Sequence, residues 1–231
     1  MSKLAFIFPG QGAQKAGMGK DFYENSEAAR SFFDNAQEIL DFDLKEMCFG
    51  EHEELNLTEY TQPCMVSVCL AIVQELKKRG INPDITAGLS LGEYAAVAAA
   101  GGMNELDAIK LVRRRGILMQ STVPAGEGAM AAVLGLDAKK IEEILESFEN
   151  VWIANYNCPG QIVITGLTNE VQQASLALKE AGAKRVVELK VSGPFHSLLL
   201  KPAGEALLKE MESMSFSPLQ VPYIANATAE I

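Results

Sequence analysis

Three side chains in this sequence have the types and settings that acyl chemistry needs. Ser90 stands between glycines in Gly88-Leu89-Ser90-Leu91-Gly92. A serine hydroxyl attacks a carbonyl at neutral pH only when a neighbouring base takes its proton as the bond forms. The pattern G-x-S-x-G presents such a serine on a sharp strand-to-helix turn, where flanking glycines let the backbone bend. The N–H groups at the start of the helix can then bind an oxyanion. The plainer alternative is a serine capping a helix between two turn glycines.

The base follows from counting, because the chain has two histidines. His52 lies in the acidic stretch GEHEEL and reads as a surface residue. His196 lies in VSGPFHS, directly after a strand and in a loop bounded by Gly193 and Pro194. If imidazole activates Ser90, His196 supplies it. The third side chain comes from Arg113-Arg114-Arg115. At about 100° per residue on a helix starting near Asn104, with Asn104 and Asp107 as caps, Arg114 falls on the polar face and Arg113 at its border. Arg115 falls among Ala108, Leu111 and Met119, on the apolar side. An arginine directed there needs an anionic partner, and its planar fork suits a carboxylate. That carboxylate belongs either to an internal Asp or Glu or to a substrate. Arg113 and Arg114 are read as solvated charges.

The elements that must position these groups are legible in outline. Leu4 to Phe8 is a buried strand that stops at Pro9-Gly10. Helices are predicted over about Ser26 to Leu40 and Pro63 to Arg79, the second closed by cations and Gly80. Ile85 to Leu89 is a short strand entering the Ser90 turn, and an alanine-rich helix leaves it. From Ala129 the order becomes strand, helix capped by Asp137, strand, strand, helix capped by Thr168, and a last strand over Arg185 to Val191. That is the split βαβ order of ferredoxin-like units. The predicted class is therefore α/β: a larger α/β body from 1–125 and 192–231, with an inserted ferredoxin-like (βαββαβ) subdomain over 126–191. A strand ending near Ala225 is followed by a polar turn, and the fold is expected to continue beyond Ile231.

Bulk properties narrow the function classes. Apolar residues make up 48% of the 231, and 30 acidic against 20 basic side chains give a net charge of −10. Such a surface repels nucleic acid and anionic membranes, so neither is expected as a partner. No segment has the length of a membrane span. Cys48, Cys64, Cys69 and Cys158 have neither paired metal-ligand nor redox spacing, so no metal is expected. They read as reduced thiols of a cytoplasmic protein.

FPGQG at 8–12, TQP at 61–63, GLSLGE at 88–93, RRRGILMQ at 113–120, NYNCPGQIVITG at 155–166 and GPFHS at 193–197 occur in one order. In that order and spacing the chain resembles the malonyl-CoA:acyl-carrier-protein transacylases over its whole length. The resemblance implies a hydrolase-like α/β body and a malonyl-serine intermediate in fatty-acid biosynthesis. Ser90 is the nucleophile and His196 the general base. The backbone N–H groups of Gln11 and Leu91 form the oxyanion hole, and Arg115 binds the malonyl carboxylate. Met119, Gln62 and Asn155 line the cleft. An aromatic residue at Phe195 accompanies a preference for malonyl over methylmalonyl units. The implied partners are acyl carrier protein and malonyl-CoA or coenzyme A. No bound cofactor is implied, since the phosphopantetheine arrives on the carrier.

Two departures accompany the resemblance. Leu89 stands where the family usually has histidine. Family members also continue past Ile231, into a segment that holds a glutamine whose carbonyl orients the histidine. Lys184, Arg185 and Lys190 are the candidate basic patch for an acidic carrier, or else ordinary surface charges. Competing readings are a serine hydrolase or thioesterase using the same pair, and a truncated non-catalytic fragment that only binds the carrier.

Overall fold

The computed structural model describes residues 3–124, 126–189, 191 and 193–231. In chain order the elements are β1 (Ala5–Phe8), α1 (Lys20–Asn25), α2 (Glu27–Gln37), α3 (Leu44–Phe49) and α4 (Thr58–Lys78). Then come β2 (Ile85–Gly88), α5 (Gly92–Ala99), α6 (Glu105–Thr122), β3 (Gly128–Leu134), α7 (Ala138–Leu145), β4 (Val151–Cys158) and β5 (Gln161–Leu167). The chain ends with α8 (Thr168–Glu180), β6 (Arg185–Glu188), α9 (Lys201–Glu212) and β7 (Tyr223–Ile224). Two compact units result, Met1–Ile117 with Leu207–Ile231 and Leu118–Ala206.

The first unit is built on a parallel sheet in the order β1-β2-β7. Ala5 pairs with Ile85 and Phe8 with Gly88, so β1 and β2 end at the same level and both release their chains into loops there. Phe6, Phe8, Phe33, Leu44, Leu70, Ala95 and Ile109 belong to the core of this unit. Local chemistry sets the helix starts. Ser26 accepts from Ala29 N at the head of α2, and Asp43 accepts from Glu46 N at the head of α3. Asn104 Oδ1 accepts from Leu106 N and Asp107 N, so Asn104 caps α6 while Asp107 sits in its first turn.

The prediction for α4 began at Pro63, where a proline naturally opens a helix. The helix instead starts five residues earlier, with Pro63 inside it. A proline there cannot donate to the carbonyl four residues back. That carbonyl, Glu59 O, accepts from Arg113 Nη1 at 2.7 Å instead.

The second unit carries an antiparallel sheet in the order β4-β5-β3-β6, from the predicted alternation of strands and helices. Period-two alternation divides its side chains cleanly. Ala129, Ala131, Val133, Ile162 and Ile164 form one core with Ile141, Val171 and Leu178 of α7 and α8. Met130, Ala132 and Val163, on the opposite face, pack with Val123, Phe195 and Leu200. Asp137 caps α7 as predicted, accepting from Lys139 N. Thr168 does not cap α8. It is the first helical residue, and its hydroxyl donates to Gly126 O at 2.7 Å. The last strand ends at Glu188, short of the predicted Val191, and Lys190 lies outside the described residues.

Candidate active site

Leu89, Ser90 and Leu91 make the whole connection between β2 and α5. Ser90 has φ +50°, a conformation that costs an L-residue about 1–2 kcal/mol. Hydrogen bonds on both sides hold it. Leu89 N donates to Phe8 O at 3.1 Å, and Ser90 N donates to Asn226 Oδ1 at 2.8 Å. Both glycines of the motif are required by space. A Cβ on Gly88 would lie 2.0 Å from Gly92 C, and one on Gly92 would lie 2.3 Å from Phe8 O. A side chain at Gly92 would push the turn off the end of β1, and one at Gly88 would push the start of α5 off β2.

The loop after β1 lies against this turn, since a Cβ on Gly10 would come within 2.9 Å of Leu89 O. Gln11 follows directly, its side-chain amide donating to Thr58 Oγ1 at 3.2 Å. Leu91 is 1% exposed and precedes the first residue of α5, where backbone N–H groups have no partner within the helix. Gln11 and Leu91, whose backbone N–H groups the resemblance assigns to an oxyanion hole, thus lie on two loops that meet at Leu89.

Arg115 Nη2 lies 3.5 Å from Ser90 Oγ, at the outer limit of a hydrogen bond, and its guanidinium stands 5.4 Å from the Tyr94 ring centroid. No carboxylate among the described residues comes within 4 Å of it. Its neighbour needs a correction. Arg113 is 9% exposed, grips Asp41 through Nε and Nη2 at 2.9 and 3.0 Å, and reaches Glu59 Oε2 at 3.1 Å. It also stacks over Phe42 and Tyr60. The helical wheel placed it at the polar border because Asp41 and Glu59 are distant in sequence. The Arg113 hydrogen bond holds the Asp41 carboxyl below its ordinary range. Arg114 stays exposed and pairs with Glu210, as a surface charge should. Gln62 is fully buried within α4.

In the second unit His196 has φ +60°. The turn before it is closed by Phe195 N to Gly193 O at 3.0 Å and by Ser197 Oγ to Pro194 O at 2.7 Å. Phe195, 6% exposed, anchors this turn in the unit's second core, with Met119 packed against the same cluster. Pro194 also presses on the sheet, since a Cβ on Gly128 would lie 2.2 Å from its Cδ. Asn155 is half-buried on β4, beside a break in register between Ile153 and Asn155. Bulges of this kind re-aim a side chain. His52 is half-buried and meets Glu46 Oε1 at 3.0 Å, a local pair rather than a bare surface residue. Among the described residues no group of three or more His, Cys, Asp or Glu is arranged to hold a metal ion. No helix among them is long and apolar enough to cross a membrane.

One participant escaped the sequence reading. Asn226, beyond the end of β7, contacts both sides of the Ser90 turn. Its only signal was a polar turn after a strand.

A family model described as the acyl transferase domain matches residues 5–230. A malonyl CoA-acyl carrier protein transacylase of Bacillus subtilis (strain 168) is 48% identical over 236 residues, covering 100% of this chain and 74% of that protein. The chain belongs to this transacylase family of acyl transferases. The crystal structure of the corresponding transacylase of Clostridium perfringens matches with a TM-score of 0.95 and 42% identity, over 99% of this chain and 73% of that one. A structure of a type II PKS acyl-carrier protein in complex with its malonyl-transacylase matches with a TM-score of 0.96 and 39% identity, over 100% of this chain and 76% of that one. These likenesses bear out the α/β class and the family read from the six ordered motifs.

Proposed function

We propose that this acyl transferase moves a malonyl group from malonyl-CoA to the phosphopantetheine thiol of acyl carrier protein, with Ser90 as nucleophile and His196 as general base. The observation that carries this reading is the Ser90 turn. A positive-φ serine joins a strand to a helix, with a guanidinium 3.5 Å from its hydroxyl that meets no carboxylate among the described residues. Ser90 Oγ attacks the thioester carbonyl while His196 takes its proton. The carbonyl π bond breaks to an oxyanion, held by the N–H groups of Gln11 and Leu91. The intermediate collapses, the C–S bond breaks, and the coenzyme A thiolate leaves with the proton from the imidazolium. The carrier's thiol then repeats the sequence on the malonyl-serine ester, giving its proton to His196, which returns it to Ser90. Arg115 receives the malonyl carboxylate, which selects dicarboxylic half-thioesters.

The named relatives support the donor, and the carrier-bound transacylase supports the acceptor. Residues 126–191 are read as the inserted subdomain, ending just before His196, and Phe195, Met119, Gln62 and Asn155 as shaping the acyl site. Lys184 and Arg185 are exposed, as a docking patch for an acidic carrier requires. We read the reaction as cytoplasmic, a compartment that suits the four free cysteines, and no bound cofactor enters any step.

Intact mass after brief mixing with malonyl-CoA, for wild type and Ser90→Ala with and without carrier protein, tests the reading. A malonyl adduct that needs Ser90, persists in buffer and moves to the carrier is expected. An adduct lost to water instead would make the chain a hydrolase, and transfer by Ser90→Ala would overturn the assignment.

A further inference from the structure

The turn that presents Ser90 is bridged by one side chain from a distant part of the sequence. Asn226 Oδ1 accepts from Ser90 N at 2.8 Å, and Asn226 Nδ2 donates to Gly88 O. Asn226 N in turn donates to Glu93 Oε1 at 2.9 Å, and Glu93 N donates to Ser90 O at 3.1 Å. Strand register explains how it gets there. β2 and β7 run parallel with Thr86 opposite Tyr223 and Ala87 opposite Ile224. Two further steps bring position 226 level with Leu89, where β2 has ended and the backbone ladder cannot continue. The Asn226 amide substitutes for the missing peptide group. It offers a carbonyl to the N–H of one residue and an N–H to the carbonyl two residues earlier, as a neighbouring strand would. The amide orientation is dictated, because the flipped form would set an NH2 against the Ser90 N–H.

We propose that Asn226 is a positioning residue for the transfer reaction: its carboxamide holds Ser90 in its positive-φ conformation and so fixes where Oγ and the adjacent oxyanion N–H groups lie. This rests on Ser90 being the nucleophile. Asparagine suits the position because only a carboxamide pairs a donor with an acceptor there. Aspartate keeps an acceptor for Ser90 N–H but turns a second anionic oxygen toward Gly88 O, and protonation of that oxygen restores a donor. A misplacement of about 1 Å near reacting atoms can cost two orders of magnitude in rate.

The test compares wild type, Asn226→Ala and Asn226→Asp by single-turnover acylation with malonyl-CoA and by labelling of Ser90 with a fluorophosphonate, with thermal unfolding of each. Asn226→Ala should acylate about 10–100-fold more slowly at saturation, with the half-saturating malonyl-CoA concentration changed less than about 3-fold. The Asn226→Asp rate, divided by the wild-type rate, should rise as the pH falls from 8 to 5, which a purely structural defect would not produce. Acylation of Asn226→Ala at the wild-type rate, or an Asn226→Asp ratio flat with pH, overturns the proposal. If Asn226→Ala folds poorly, the Asn226→Asp ratio decides alone. Absence of a malonyl adduct in wild type refutes the transfer function instead, and the fluorophosphonate rates then still judge Asn226.

Discussion

Arg115 and Arg113 are two positions apart on α6 and have opposite fates, which turns on where their counter-charges are. Arg113 finds Asp41 and Glu59 within the protein and is buried on them. Arg115 finds no internal carboxylate among the described residues, although it lies beside Ser90. On the proposed reading, the malonyl carboxylate supplies the anion that Arg115 lacks among the described residues. Charge-assisted hydrogen bonds contribute about 1.5–3 kcal/mol, and 1.36 kcal/mol is tenfold in rate. Arg115→Ala should therefore lower kcat/KM for malonyl-CoA by about 100-fold and leave acetyl-CoA nearly unaffected. Steady-state transfer assays with the two thioesters measure this directly, and an equal fall for both would remove the carboxylate from the Arg115 role.

At the level of helices and strands, Arg113 joins α6 to α4. It occupies the Glu59 carbonyl that Pro63 leaves without a helical donor, and it stacks on the neighbouring Tyr60. Removing it uncovers that carbonyl, leaves Glu59 without its cation and opens space against Phe42 and Tyr60. Losing one partner of a buried pair destabilises by several kcal/mol. The Asp41 end is largely exposed and adds little, so about 2–4 kcal/mol is expected for Arg113→Ala in urea unfolding. Activity per folded molecule should change little, because Arg113 does not reach Ser90. Arg113→Lys should recover less than half of the loss, lacking the fork that spans both oxygens of Asp41.

Across the whole molecule, three carboxylates tie distant segments together and are held below their ordinary values. Asp41 is held by Arg113, Glu75 by the Ser26 hydroxyl and Arg79, and Glu170 by the side chain and backbone N–H of Asn150. Each binds protons more readily unfolded than folded. Their stabilisation is thus complete above the unfolded carboxyl values near ~4 and is lost as pH falls through the lower folded values. Melting temperature should hold between pH 6 and 8 and drop steeply below about pH 4.5. Asn150→Ala should make that acid limb shallower, which circular dichroism at a series of pH values will show.

Much of this was legible before any coordinates. The G-x-S-x-G turn, the alternation that builds the antiparallel sheet, and the Asp137 and Asn104 caps all depend on neighbours within a few residues. Sequence spacing encodes such neighbours, and the six ordered motifs carried the family. What spacing cannot encode is which distant segments meet. Arg113 read as a border charge because its partners lie 72 and 54 residues away. Thr168 read as a cap because its actual acceptor, Gly126 O, is 42 residues back. Asn226 carried no functional signal at all, since it meets Ser90 only through the parallel register of β7 on β2, 136 residues along the chain. The linear order was sufficient to name the family and the α/β class. How the serine's backbone is held in place followed only from strand pairing, because hydrogen bonds between remote segments exist only once the chain has folded.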